Sequence, residues 1–179
     1  MLTATEKKTL LRLAREAIEA QVSGRKPPLL EAEGEAYKSD SGAFVTIHKD
    51  GMLRGCIGTF ASPNPLYKTI IDMAVSAAAK DPRFMPLTPP ELSEITIEIS
   101  VLSPLKEISD VSEVEVGRHG LYIIKGRSRG VLLPQVATEN GFNRIQFLEQ
   151  TSIKAGLNQD AWKQGATIFT FEAEIFREE

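Results

Sequence analysis

Residues 42–58 read GAFVTIHKDGMLRGCIG, and this stretch decides how the middle of the chain folds. Residues 42–48 are rich in β-forming side chains, and a second apolar run begins at Met52. Asp50-Gly51 stands between the two runs and favours a hairpin turn, because glycine adopts positive φ without steric cost. The stretch therefore predicts two antiparallel strands, with their cross-strand partners left open. Alternation in the second strand places Leu53, Gly55 and Ile57 on one face and Arg54, Cys56 and Gly58 on the other.

The second strand is unusual because it holds two glycines, which weaken a strand and mark a bulge or a close approach. We predict that the glycines leave open space, so that Arg54 offers its guanidinium to a carboxylate or phosphate and its loss costs little stability. Cys56 then becomes a candidate nucleophile. In the alternative interpretation, Cys56 is a core residue, the glycines serve packing and Arg54 makes a structural ion pair.

Helical patterns lie on both sides of this hairpin. Thr3 and Glu6 have the spacing of a capping box and predict an amphipathic helix that ends near Gly24. Residues 29–41 are polar and predict a loop. Asn64-Pro65 predicts the start of a second helix, with Asn64 as its cap, and Asp81-Pro82 ends it.

Residues 95–101 alternate strictly between apolar and polar side chains, and residues 169–175 do the same. This pattern predicts two strands of one sheet, each with one buried face. A second hairpin is predicted over 120–133, and Asn143 predicts the start of a further helix. Strands that do not alternate regularly with helices indicate the α+β class.

Composition excludes several classes of protein. The chain has 179 residues and a formal charge of -3, which argues against a general nucleic-acid binder. No apolar run is long enough to span a bilayer, so no membrane association is predicted. The single cysteine favours a reducing, cytoplasmic location, and the composition is that of a globular protein.

Few other residues point to chemistry. His48 and His119 are candidate bases for Cys56, although His119 beside a glycine is more typical of a turn. A metal site built from both histidines and Glu98 is a minor alternative, and we predict neither a metal nor a cofactor. Asp81-Pro82-Arg83-Phe84 either lines a binding site or simply ends a helix.

Several motifs in this order resemble the AMMECR domain family. They are residues 42–46 (GAFVT), 53–59 (LRGCIGT), 81–84 (DPRF), 97–104 (IEISVLSP), 119–121 (HGL), 132–137 (LLPQVA) and 154–157 (KAGL). The resemblance covers nearly the whole chain. One departure is Ser152, which stands where the family pattern has cysteine, so a mechanism that needs a second thiol is in doubt.

The resemblance implies an α+β fold with a larger antiparallel-sheet domain and a smaller inserted domain, separated by a cleft. We predict that residues 1–115 with 166–179 form the larger domain and residues 116–165 the smaller one. The resemblance also implies two partners, a Memo-like protein and a radical SAM protein. The predicted binding residues are Arg54, Gly55, Gly58, Asp81, Arg83, Phe84, Glu98 and Gln135.

Two functional hypotheses follow. The first is a non-catalytic module that binds a partner protein or a small anionic ligand through the stretch 53–58. The second is an enzyme in which Cys56 attacks an anionic small molecule, with His48 or His119 as base.

Overall fold

The computed structural model describes residues 2–27, 34–39 and 41–179. Within these ranges the strands pair antiparallel and do not alternate regularly with helices, so the α+β prediction is confirmed. The helices are α1 (Ala4–Val22), α2 (Glu35–Lys38), α3 (Leu66–Ala79), α4 (Pro134–Glu139) and α5 (Arg144–Lys154). The strands are β1 (Ser41–Lys49), β2 (Met52–Ala61), β3 (Ile95–Leu102), β4 (Lys106–Ile108), β5 (His119–Lys125), β6 (Ser128–Leu132) and β7 (Thr167–Arg177). No helix among them is both long and apolar enough to cross a membrane.

The chain packs into two compact units. The first comprises Met1–Leu102 with Glu174–Glu179, and the second comprises Ser103–Ala173. Strand β7 contributes residues to both units. The domain ranges predicted from the sequence, 1–115 with 166–179 and 116–165, stay a prediction.

In the first unit, one face of the strands β2, β1 and β3 packs against α1 and α3. Thr3 caps α1 with a complete capping box, as predicted. Apolar side chains from the helices and strands form one core, and each fully buried leucine or isoleucine stabilises it by roughly 1.5–3 kcal/mol. Its fully buried members include Leu10, Leu13, Ile18, Val45, Ile47, Ile70, Ile97 and Ile99.

Strand β7 lies next to β3, which confirms that these two strands share a sheet. The predicted single buried face of β7 is wrong, because Ile168 and Thr170 are buried while Ile175, on the face predicted to be buried, is 44% exposed. The end of the chain is held there by the Glu178 carboxylate, which accepts hydrogen bonds from the Ile97 N–H (2.9 Å) and from Arg15 Nε (3.0 Å). The Arg15 guanidinium also donates to the carbonyls of Leu92 and Ile95. The interactions of Arg15 therefore tie α1 to β3 and to the last residues of the chain.

In the second unit, β5 pairs with both β6 and β7, and β4 pairs with β7. The predicted hairpin over 120–133 is confirmed as β5 and β6. The predicted cap of the following helix is also confirmed, because Asn143 and Gln146 form a capping box at the start of α5. The core contains Leu121, Ile123 and Phe147.

Two sequence-based predictions about local structure need correction. Asn64 does not cap α3, because Pro65 occupies that position with an extended ψ of 145° and the helix begins only at Leu66. The predicted loop over 29–41 includes the short helix α2, while residues 29–33 and 40 lie outside the described residues.

Candidate functional site

Strand β2 contains a bulge at Arg54. Gly55 is opposite Ile47 and Leu53 is opposite His48, so Arg54 is an extra residue without a partner on β1. An extra residue bends the strand locally and redirects its side chain. The glycine-containing strand therefore does carry one of the irregularities that strand glycines signal.

The bulge overturns the predicted alternation on β2. Cys56 is opposite Thr46 and Leu53 is opposite His48, and cross-strand partners share a face of the sheet. Because Thr46 and His48 are two residues apart on β1, Leu53 lies on the face of Cys56 and not on that of Gly55. The predicted grouping of Leu53 with Gly55 is wrong, because one extra residue reverses the alternation beyond it.

The redirected Arg54 side chain binds Glu91 through two hydrogen bonds. Arg54 Nε donates to Glu91 Oε1 (2.8 Å) and Nη2 donates to Oε2 (3.1 Å). Arg54 Nη1 donates to the Met85 carbonyl (3.1 Å), so all three guanidinium nitrogens are engaged. The side chains of Arg54 and Glu91 are only 17% and 15% exposed. This geometry is the strong, bidentate form of an arginine–carboxylate pair.

Glu91 was not among the residues selected from the sequence. It lies in a 3-10 helix, Pro89–Ser93, where its carboxylate also accepts hydrogen bonds from the backbone N–H and the hydroxyl of Thr88. Thr88 and Glu91 have capping-box spacing, which was a usable signal for this carboxylate. The Arg54 hydrogen bonds, followed by those of Thr88, lower the pKa of Glu91 to about 2.

Replacing Glu91 with glutamine is expected to flatten the acid side of the stability profile. The pKa of Glu91 is below its ordinary value of 4.5 in the folded chain, so its ionised form stabilises the fold above that ordinary value. This contribution, at most about 3 kcal/mol, is lost as the pH falls from about 4.5 to about 2. Urea unfolding at several pH values measures it. Glu94→Gln is the control, because Glu94 is 51% exposed and pairs with Lys49. An acid slope equal in wild type and Glu91→Gln would refute this role.

Asp81 and Arg83 cover the outer edge of β2 at Cys56. Strand β2 is at the end of the strand order, so half of its backbone groups point away from β1. The Cys56 N–H donates to Asp81 Oδ2 (2.9 Å), and Arg83 Nη2 donates to the Cys56 carbonyl (3.3 Å). The two side chains thus take the place of a neighbouring strand for this one residue.

The Asp81 carboxylate is 2% exposed and holds this arrangement together. It also accepts hydrogen bonds from the backbone N–H of Arg83 (3.1 Å), from Nε (2.9 Å) and from Nη2 (2.7 Å). The Arg83 side chain, followed by the Cys56 N–H, lowers the pKa of Asp81 well below its usual range. The Asp81 side chain is therefore a buried, ionised structural group rather than a proton donor near neutral pH.

Phe84 lies between the two arginines. Its ring centroid is 5.5 Å from Arg83 Cζ and 5.9 Å from Arg54 Cζ, within the range of cation–π contacts. The structure therefore brings together four of the predicted binding residues, Arg54, Asp81, Arg83 and Phe84.

Close packing accounts for both glycines of the stretch. A Cβ on Gly55 would lie 2.4 Å from the Ala77 carbonyl oxygen, so glycine lets the end of α3 approach β2. A Cβ on Gly58 would lie 2.2 Å from the Phe44 ring. The space beside Arg54 is therefore filled, which removes the reason to expect a small stability loss on truncation of Arg54. Ligand binding by Gly55 and Gly58 stays a prediction.

A row of three side chains crosses the opposite face of the first unit's strands. Thr46 is opposite Cys56 on one side and opposite Glu98 on the other. His48 shares this face at a diagonal distance from Cys56 of about 7–8 Å, and Glu98 is about 10 Å from it. The candidates Cys56, His48 and Glu98 therefore lie on one face, where Thr46 is the residue whose side chain bonds to the thiol sulfur.

The Cys56 thiol is half-buried, and its sulfur accepts a hydrogen bond from the Thr46 hydroxyl (3.3 Å). We expect this thiol to react with a maleimide in the folded protein, more slowly than in urea. Mass spectrometry gives an unambiguous readout because the chain has one cysteine. Labelling that occurs only after unfolding would reject Cys56 as a nucleophile.

His119 and Gln135 belong to the second unit. His119 Nδ1 accepts a hydrogen bond from the Glu115 N–H (3.1 Å), an interaction within a turn. Gln135 Oε1 is buried without a hydrogen-bond partner among the described residues. Their roles as base and binding residue stay predictions. Across the described ranges, no three histidine, cysteine or acidic side chains come together as metal ligands.

Comparison with known proteins agrees with the motifs. Residues 11–176 match the model of the AMMECR1 family. The chain belongs to this family. It is 42% identical to a protein of Methanosarcina acetivorans, with 99% of this chain and 94% of that protein aligned. It is 37% identical to a protein of Aquifex aeolicus, with 94% and 91% aligned.

A solved structure supports the AMMECR1 fold. The crystal structure of an uncharacterized protein from Pyrococcus horikoshii matches with a TM-score of 0.85 and 37% identity. The match covers 96% of this chain and 90% of that one. The AMMECR1 match includes the whole of β2 and the segment Asp81–Phe84, so the site described above lies within the family's shared region.

Proposed function

We propose that this AMMECR1 protein is a partner-binding module and that it docks through the Arg54 surface, which comprises Met52, Leu53, Arg54, Phe84 and Met85. One observation carries the proposal. Met52, Leu53 and Met85 are 73%, 41% and 81% exposed, although all three are large and apolar. Met52 and Leu53 directly precede Arg54 in the chain. The backbone carbonyl of Met85 accepts a hydrogen bond from the Arg54 guanidinium.

The residue types on this surface fit a protein interface. Methionine, arginine and aromatic side chains are enriched where proteins bind one another, and neighbouring exposed apolar side chains mark such sites. Methionine also adapts its shape to a partner. The surface lies at the start of an edge strand, so a partner can approach β2 from the side that β1 does not cover.

We propose a Memo-like protein as the direct partner and a radical SAM protein as a further member of the assembly. The family resemblance supports this choice. A cytoplasmic location and the cleft beside an inserted domain are also proposed on that basis, and docking on the Arg54 surface depends on neither.

Met85→Glu is expected to weaken binding of the Memo-like protein by about tenfold or more, because a charge replaces an apolar contact. Titration calorimetry with the purified Memo-like protein of the same organism measures the change. Ile153→Glu is the matched control, since Ile153 is 48% exposed and lies in α5 of the second unit. Equal binding by wild type and Met85→Glu, or no binding by wild type, would refute the proposal.

The Cys56 nucleophile hypothesis has less support. The sulfur's hydrogen-bond partner is the Thr46 hydroxyl, which is not a base at neutral pH. The Asp81 carboxylate accepts a hydrogen bond from the Cys56 N–H. Its oxygens also accept hydrogen bonds from Arg83, so it is not available as a base for the thiol. An enzyme acting on an anionic small molecule therefore stays a prediction, tested by the labelling experiment above.

A further inference from the structure

We infer that the partner presents an apolar segment to the Arg54 surface and that neither Arg54 nor Arg83 binds an anionic group. This inference rests on the proposed function and names the chemistry of the partner. It separates two ways in which an arginine-containing surface can work. In one the guanidinium binds a carboxylate or phosphate of the ligand, and in the other the ligand contacts apolar side chains around a neutralised guanidinium.

The charges around the surface are balanced within the chain itself. Arg54 is paired with Glu91, and Arg83 is paired with Asp81. Lys49 Nζ lies 2.6 Å from Glu94 Oε2 and 3.6 Å from Glu91 Oε1. Each of these three cations therefore has a carboxylate partner, and the group adds no net positive charge to attract an anion.

An incoming anion would have to compete with partners that are already well placed. Three donor atoms of Arg54 are occupied, and its guanidinium is mostly buried. Withdrawing Arg54 would leave the Glu91 carboxylate half-buried without its main donor, which is unfavourable. Arg83 is more exposed, but its Nε and Nη2 both donate to Asp81.

The apolar side chains, in contrast, have no partner that they must give up. Met52 and Met85 keep most of their surface in water, and covering them with an apolar segment removes that surface from water. Leu53 extends the apolar surface onto the face that carries His48. Phe84, whose ring contacts both guanidiniums, adds aromatic surface beside them.

The test is the salt dependence of binding to the purified Memo-like protein. We expect the Kd to change less than about threefold between low and high sodium chloride, because no counterions are exchanged at the surface. Met52→Ala and Met85→Ala should each weaken binding by about tenfold or more at both salt concentrations. A Kd that rises more than about tenfold with salt would overturn the inference. The docking surface itself would still be supported in that case if Met85→Glu weakens binding. Loss of all binding in wild type would overturn both.

Inorganic phosphate provides a second arm that needs no partner. Wild type should show no shift in melting temperature with added phosphate, because Arg54 is occupied. Glu91→Gln removes the negative charge that neutralises the guanidinium and should gain a phosphate-dependent rise, which shows that the assay detects an arginine without a charged partner. A phosphate-dependent rise in wild type that Arg54→Ala abolishes would overturn the inference.

Discussion

Replacing Asp81 with asparagine should lower the free energy of unfolding by about 3–5 kcal/mol, because it leaves a buried network without its charge. Asp81 accepts hydrogen bonds from the Cys56 N–H and from three nitrogens of Arg83, and it is almost fully buried. The amide has one acceptor oxygen and would direct its NH₂ group at other donors. Urea unfolding measures the loss.

Asp72→Asn provides the matched control. Asp72 is exposed on α3, and the same substitution there should change stability by less than about 0.5 kcal/mol. If Asp81→Asn proved as mild as Asp72→Asn, the network at Cys56 would not hold the edge of β2.

Replacing Gly55 with alanine should cost about 3 kcal/mol, through overpacking between two pieces of backbone. Its Cβ would lie 2.4 Å from the Ala77 carbonyl oxygen, and that carbonyl belongs to α3 and moves only with the helix. Because α3 packs on the core of the first unit, such a shift disturbs many apolar contacts. Thermal and urea unfolding measure the effect.

Gly58→Ala on the same strand is the comparison. Its Cβ would meet the Phe44 ring, a side chain that can rotate away at the expense of its edge contact with Phe60, 5.1 Å between centroids. We expect a loss of about 1 kcal/mol, and Phe44→Leu should recover part of it. If Gly58→Ala lowered the free energy of unfolding more than Gly55→Ala, the expected clash between a Cβ at Gly55 and the Ala77 carbonyl would be wrong. Helix α3 would then move away from β2 at little cost.

Part of the candidate site was predictable from the sequence. Two glycines in an apolar strand next to Arg54 mark β2 as a candidate site in the sequence. Residues 81–84 are a second candidate on separate grounds. The structure brings both segments together through Asp81 and Arg83. The family resemblance led to the same segments, and the AMMECR1 match confirms the family.

Other parts of the site were not predictable. Glu91 was missed although it binds Arg54, since nothing in the spacing of residues 37 positions apart specifies a contact between them. The alternation on β2 was wrong at Leu53, because a bulge depends on how β1 pairs with β2 and not on either strand alone.

The sequence by itself determined the secondary structure around the site. The hairpin turn at Asp50-Gly51, the caps at Thr3 and Asn143 and the alternation in β3 all depend on residues close together in the chain. Such signals act through local hydrogen bonds, backbone conformation and the periodic burial of apolar side chains, so they can be recognised before the fold is known.

Only the tertiary structure decided how the side chains of the stretch 53–58 are placed. Whether Arg54 faces an anion or a carboxylate of its own chain depends on the position of Glu91, and whether Gly55 leaves a cavity depends on Ala77. Both outcomes arise from contacts between distant segments, where the packing of α3 and the bulge in β2 set distances to a fraction of an ångström. Close packing and hydrogen bonding act at that scale, which residue spacing along a chain does not specify.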